Sequence, residues 1–175
     1  MVKIIIGIVI CAVIVIGGLI ILNNPMSTTA DETVETTDTF SYTIEGEVKK
    51  EGTYLLQENI TMADLIEAAG GVSSNADARS YYEDVTLTSG TTYYIAGTYD
   101  SSDVCGSSAI TKVNINTDAA DDLASVNGIS STVANSIVSY RTQNGNYKTL
   151  EDLLKVYGIG NATYRKIRSY VILHD

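Results

Sequence analysis

The sequence predicts three parts in series: a membrane-spanning helix, a small α+β module and an all-α module built as a tandem repeat. Three observations carry this. Residues 4–22 contain no charge. Residues 40–96 pass from period-two alternation of apolar side chains to a capped helix and back to short strands. Residues 112–175 contain a motif that returns with an offset of 30. The full length, 175 residues, suits two small domains behind an anchor.

The run at 4–22 reads IIIGIVICAVIVIGGLIIL, 19 residues in all. At 1.5 Å per residue it is long enough to cross a hydrocarbon core. Lys3 precedes it and no basic residue follows until Lys49. The positive-inside bias therefore puts the N-terminus in the cytoplasm and the rest outside, as a single-pass protein of the cell membrane. A cleaved signal peptide would need a shorter apolar core and a small-x-small exit, and this run ends in Asn23-Asn24-Pro25. Cys11 is not a lipoprotein site, because Ile10 stands where a small residue is required. Residues 23–39 are rich in Thr, Asp and Glu and read as a solvated tether.

In the second part, Tyr42, Ile44 and Val48 alternate as on a half-buried strand. Lys49 to Gly52 makes a turn and Thr53 to Leu56 a second strand. Thr61, with Asp64 three positions on, is a capping box. Met62, Leu65, Ile66 and Ala69 form one helical face, stopped by Gly70-Gly71. Further strands are expected at 85–87 and 93–95. Tyr81, Tyr82, Tyr93 and Tyr94 suggest a surface left for a partner. Residues 97–111 read as a flexible linker containing Cys105, a spare thiol.

In the third part, Val126, Gly128, Ile129, Ile137 and Tyr140 recur as Val156, Gly158, Ile159, Ile167 and Tyr170. Each copy reads as helix, tight turn, helix. Asn116 or Thr117 is expected to open the first helix, and Thr149, with Asp152, the third. Gly128 and Gly158 supply the positive φ that ends the first helix of each pair. Ser131 and Asn161 are expected to cap the helices that follow, whose core face is Val133, Ala134, Ile137 and Val138, then Ala162, Ile167 and Val171.

The formal charge is −10, yet residues 112–175 hold seven basic against six acidic side chains. This part is electrostatically separate. A glycine turn that opens onto a helix N-terminus offers unpaired N–H groups to a phosphate, without a side chain in the way. The backbone at Gly128, Ile129 and Ser130, and at Gly158, Ile159 and Gly160, is expected to take phosphates of one duplex. Arg141, Lys148, Arg165, Lys166 and Arg168 would supply counter-charge. No base edge is read in this arrangement, so binding is expected to be sequence-independent and salt-sensitive. In the first turn Ser130 stands where the second turn has Gly160.

Catalysis and metal binding have little support. The single His is His174, and the cysteines are Cys11 and Cys105. The pairs Asp121-Asp122 and Glu151-Asp152 fall in first turns of helices, where acids favour the dipole. No cofactor is expected and the chain is read as a non-enzyme.

Two resemblances follow from these residues. The turn Gly46, Val48, Gly52, Tyr54 and the helix end Asp64, Ile66, Ala69, Gly70, Gly71 resemble the SLBB module, a β-grasp unit, over residues 40–96. It implies ligand binding or self-association. From Lys112 onward, V-N-I-N-T, L-x-x-V-x-G-I, G-x-Y-K-T-L-E-D-L and V-x-G-I-G stand in the order of the tandem helix-hairpin-helix domain of the ComEA family. Anchor (1–22), tether (23–39), SLBB-like domain (40–96), linker (97–111) and hairpin domain (112–175) together resemble that family. The resemblance implies a membrane-anchored receptor for double-stranded DNA in natural transformation, which passes DNA to an uptake channel protein. The alternative is an extracellular self-associating or polysaccharide-binding protein of export type, in which the hairpins are only a structural bundle.

Overall fold

In the computed structural model, residues 38–99 and 109–175 are described. The expected anchor at 1–22, most of the tether, Cys11 and Cys105 lie outside the described residues. Among the described residues no helix is long and apolar enough to cross a membrane.

The first strand, β1 (Phe40–Gly46), turns Tyr42 and Ile44 inward. It pairs antiparallel with β2 (Gly52–Leu56), with Thr43 opposite Thr53. Helix α1 (Met62–Ala68) starts at Thr61 through the expected capping box: Thr61 N–H donates to Asp64 Oδ2 at 2.8 Å. Met62, Leu65 and Ala69 are buried beneath it. At its end Gly70 and Gly71 adopt φ of +81° and +96°, and their amides close back on Glu67 and Ile66. A short 3-10 turn, Ala78–Ser80, is capped by Asp77. The last strand, β3 (Thr92–Ile95), runs parallel to β1, so the sheet order is β2-β1-β3. The strand expected at 85–87 does not form. Thr86 makes one isolated bridge to Thr61, and Met62 N–H donates to Val85. The segment braces the start of α1, with no strand partner beyond that.

The C-terminal part contains α2 (Ala120–Leu123), α3 (Ser131–Asn144), a 3-10 helix (Leu150–Lys155) and α4 (Asn161–Ile167). It is not all-α as expected. Two-residue strands β4 (Val113–Asn114) and β5 (Val171–Ile172) pair in parallel and clasp its two ends. Strands this short carry no readable alternation. Val171, expected on a helix face, is buried in β5. Nor does Asn116 cap a helix. Its buried amide donates to the carbonyls of Tyr147 (3.0 Å) and Leu173 (2.9 Å) and accepts from Tyr147 N–H (2.8 Å). The first helix opens instead at Ala119.

The described residues form one compact unit, and β3 shows why. Side chains alternate across a strand. Tyr93 and Ile95 enter the core of the sheet and α1. Tyr94 and Ala96 face the other way, into the core of Ile115, Leu123, Ile137, Leu153 and Ile167. Of the tyrosines expected to await a partner, Tyr81 and Tyr93 are buried in the core of the sheet and α1, and Tyr82 and Tyr94 pack against the C-terminal part. Tyr82 donates to Leu173 O and stacks on His174 with centroids 4.7 Å apart. Tyr94 hydroxyl meets Ser169 at 2.9 Å.

The linker expected at 97–111 is likewise tied down at both described ends. Gly97 bridges Ala76 and Tyr99 bridges Ala109. Asn75 Oδ1 accepts from Thr98 Oγ1 (2.7 Å) and Tyr99 N–H (3.1 Å). Lys112, its side chain 1% exposed, lies 2.8 Å from Asp77. Burial alone would raise the Asp77 carboxyl, but hydrogen bonds from Arg79 and Lys112 override it and hold it well below the usual range.

Candidate nucleic-acid interface

The two hairpin turns make the same backbone bonds 30 residues apart. Ile129 N–H donates to Val126 O at 3.0 Å, and Ile159 N–H to Val156 O at 3.1 Å. Ala134 N–H closes on Ser130 O at 2.8 Å, and Tyr164 N–H on Gly160 O at 2.9 Å. Gly128 and Gly158 have φ of +114° and +91°, a region that side chains other than glycine's rarely tolerate. Ile129 and Ile159 are buried and anchor the turns from below.

The caps differ from expectation by one residue. Ser130, not Ser131, caps α3, and Gly160, not Asn161, occupies that position for α4. This shift separates the turns chemically. Ser130 Oγ accepts the amide of Val133 at 3.3 Å. Gly160 has no side chain to do so, and α4 starts without a side-chain cap. A Cβ placed on Gly160 would meet nothing within 4 Å. The second turn therefore presents bare backbone toward open space, and its first-turn amides have no acceptor within the helix.

The other two glycines serve packing. A Cβ on Gly128 would stand 3.0 Å from Lys166 Cδ and 3.1 Å from Ile167 Cγ2, and one on Gly158 would stand 3.2 Å from Val133 Cγ2. Each turn thus seats against the second helix of the other hairpin. Lys166, expected to serve the turn that precedes it, lays its stem over Gly128 and brings its charge to the first turn.

The remaining cations divide in two. Arg141 donates to the carbonyls of Ile115 (2.7 Å) and Asp118 (2.6 Å) and so holds the entry to α2. Arg168 pairs with Glu45 at 3.0 Å and lies 3.9 Å above the Tyr94 ring, clamping the β-module. Among the described residues, Lys148, Arg165 and Lys166 have no ion-pair partner. Arg165 lies on the exposed face of α4 and makes one long bond, 3.4 Å, to Asn161 O.

Below the second turn, the two adjacent acids part company. Asp152 completes the capping box, accepting from Thr149 N–H at 3.1 Å and from Lys155 Nζ at 2.6 Å. Glu151, expected to sit in the helix dipole beside it, points inward instead. Its Oε1 accepts from Tyr94 N–H (2.8 Å) and Tyr164 hydroxyl (2.6 Å). Burial pushes its carboxyl up to about 7, against the pull of these donors. Tyr164 carries no motif that marks it in the sequence. It takes the core position expected of Ala162, which is exposed. Its place four residues after Gly160 and three before Ile167 is the helical spacing that could have marked it.

Comparison with known proteins places these parts. Residues 108–172 match the model of the helix-hairpin-helix motif, and residues 41–95 match that of the SLBB domain. The chain is 32% identical over 148 residues to ComE operon protein 1 of Bacillus subtilis, a match spanning 78% of this chain and 71% of that protein. It is 45% identical over 62 residues to an uncharacterized protein of Haemophilus influenzae, covering 35% of this chain and 55% of the relative. Over 63 residues it is 41% identical to endonuclease/exonuclease/phosphatase family domain-containing protein 1 of Danio rerio, of which only 12% is covered.

Proposed function

The chain belongs to the ComEA family, and from that premise we propose that it is a non-catalytic, membrane-anchored receptor that binds double-stranded DNA without sequence preference during natural transformation. The observation that carries the reading is the second hairpin turn: uncapped amides behind Gly160, open space in front of it, and unpaired Arg165 on the helix it begins. A phosphate oxygen completes the hydrogen bonding that the helix start lacks. Lys166 places a second unpaired charge beside the first turn. The turn amides meet phosphate oxygens and so read no base edge. The acidic β-module, with nine acidic against three basic residues in 40–96, repels a polyanion and leaves the duplex to the hairpin part.

Anchoring rests on the uncharged run at 4–22 behind Lys3. It puts the hairpins outside the cell, where incoming DNA is met before it reaches an uptake channel protein. Added protease should then remove the C-terminal part from intact cells stripped of outer layers. Full protection would reverse the orientation.

The deciding experiment is a titration of the full chain with duplexes of random and of fixed sequence across a salt series. Equal affinities that fall steeply with salt are expected. A chain that ignores duplex DNA but is retained on a cell-wall glycan would overturn the reading.

A further inference from the structure

Tyr157 stands immediately before Gly158, and its side chain is 85% exposed. Its neighbours in the turn, Val156 and Ile159, are buried, so the ring is directed away from the core by the turn itself. The first turn carries Asn127 at the corresponding position. Tyr157 also forms one wall of a groove of about 530 Å³, together with Lys155, Tyr140 and the Thr132–Ser136 side of α3. The only charge on α3 is Arg141, and that guanidinium is spent on the Ile115 and Asp118 carbonyls. The one charge in that wall, Lys155, is paired with Asp152 at 2.6 Å, so this side of the second turn offers an aromatic ring and no unpaired charge.

We propose that the Tyr157 ring is a DNA contact that covers the deoxyribose next to the phosphate held at Gly158–Gly160. Tyr157 and Gly160 are three residues apart, at most ~11 Å between Cα atoms, so ring and amides can meet neighbouring nucleotides of one strand. A phosphate seated on the amides brings the apolar face of its own sugar toward the ring, and water leaves both surfaces. The contact neutralises no phosphate. It adds affinity that salt does not screen, on one hairpin only. The inference rests on the DNA-binding reading above and goes beyond its phosphate contacts.

The test is a salt-series titration of the full chain against random-sequence duplex DNA, with Tyr157→Ala, Tyr157→Phe and Asn127→Ala compared to the wild type. Tyr157→Ala should weaken binding roughly threefold to thirtyfold, the scale of the apolar area that one aromatic ring covers, by the same factor at every salt concentration. Tyr157→Phe and Asn127→Ala should match the wild type. Tyr157 is exposed, so the variants fold. Unchanged affinity in Tyr157→Ala would overturn the proposal, and so would an equal loss in Tyr157→Phe, which would assign the contact to the hydroxyl. Retention of the wild type on an insoluble glycan, lost in Tyr157→Ala with duplex affinity intact, would overturn it in favour of a sugar polymer. A wild type that binds no duplex would instead overturn the DNA-binding reading itself.

Discussion

The two hairpins share a backbone and differ in who satisfies it. In the first, Ser130 hydrogen-bonds its own helix at Val133. In the second, Gly160 leaves the equivalent amide to an outside acceptor. A good N-cap and a good anion site compete for the same N–H groups. Duplication of the fold has therefore not duplicated the hydrogen bonding at the helix starts. The same divergence appears at the preceding helices: Asp121 is exposed, whereas Glu151, 30 residues on, is buried under Tyr94 and Tyr164.

That last contrast carries the largest expected effect. The folded chain holds the Glu151 proton up to about pH 7, against an ordinary value of 4.5. Between those values the native state binds more protons than the unfolded one. Stability is therefore full below the lower value and declines as pH rises through the upper. The decline attributable to Glu151 is about 3 kcal/mol, at ~1.4 kcal/mol per unit. Denaturant melts at pH 5 and pH 8 should show it in the wild type and in Asp121→Asn, and should lose it in Glu151→Gln. A Gln variant that keeps the wild-type difference would remove Glu151 as the titrating group.

Next comes exchange of the caps. Gly160→Asp supplies both a cap and a negative charge where a phosphate would sit. Duplex affinity should fall more than tenfold, while the melting temperature holds or rises, since a cap contributes about 1 kcal/mol. Ser130→Asp should cost severalfold less affinity, because that turn is already capped. Equal losses would mean that both turns hold phosphate.

Removal of the unpaired cations ranks third. Arg165→Ala with Lys166→Ala should reduce the slope of log affinity against log salt by about 1.8, at ~0.9 per phosphate contact. Arg168→Ala should leave the slope alone and lower thermal stability instead, because its partners are Glu45 and Tyr94. A slope change in Arg168→Ala would return that residue to the interface. The smallest effect is Ser130→Gly, which frees the Val133 amide. Affinity should rise about twofold for a stability loss of a few tenths of a kcal/mol, read by the same titration and a thermal melt. No gain would mean that the first turn cannot reach the duplex.

Local signals were legible in the sequence wherever a motif closes within a few residues. The capping boxes at Thr61 and Thr149, the glycine stops after α1, and the positive φ at Gly128 and Gly158 are all of this kind. What escaped was long-range. Asn116 looks like a cap, but it serves residues 31 and 57 positions away. Lys166 follows the second turn in sequence and lies over the first in space. Arg141 and Arg168 read as surface charge, and only the packing of distant segments reveals that their donors are committed. Tyr94 read as surplus surface because the element that covers it begins more than fifty residues later. Composition and period report which side chains need burial, but not against what.

β3 has a consequence for how the protein is lost. Tyr93 and Ile95 belong to one core, Tyr94 and Ala96 to the other. Heating cannot strip the strand from one layer and spare its neighbour. Melting of residues 37–175 should therefore appear in calorimetry as a single transition, with the calorimetric enthalpy equal to the van't Hoff value. A core substitution as far from the hairpins as Ile44 then shortens their lifetime as directly as one beside them. A loss of stability is therefore felt across both halves at once, and neither can drift without the other.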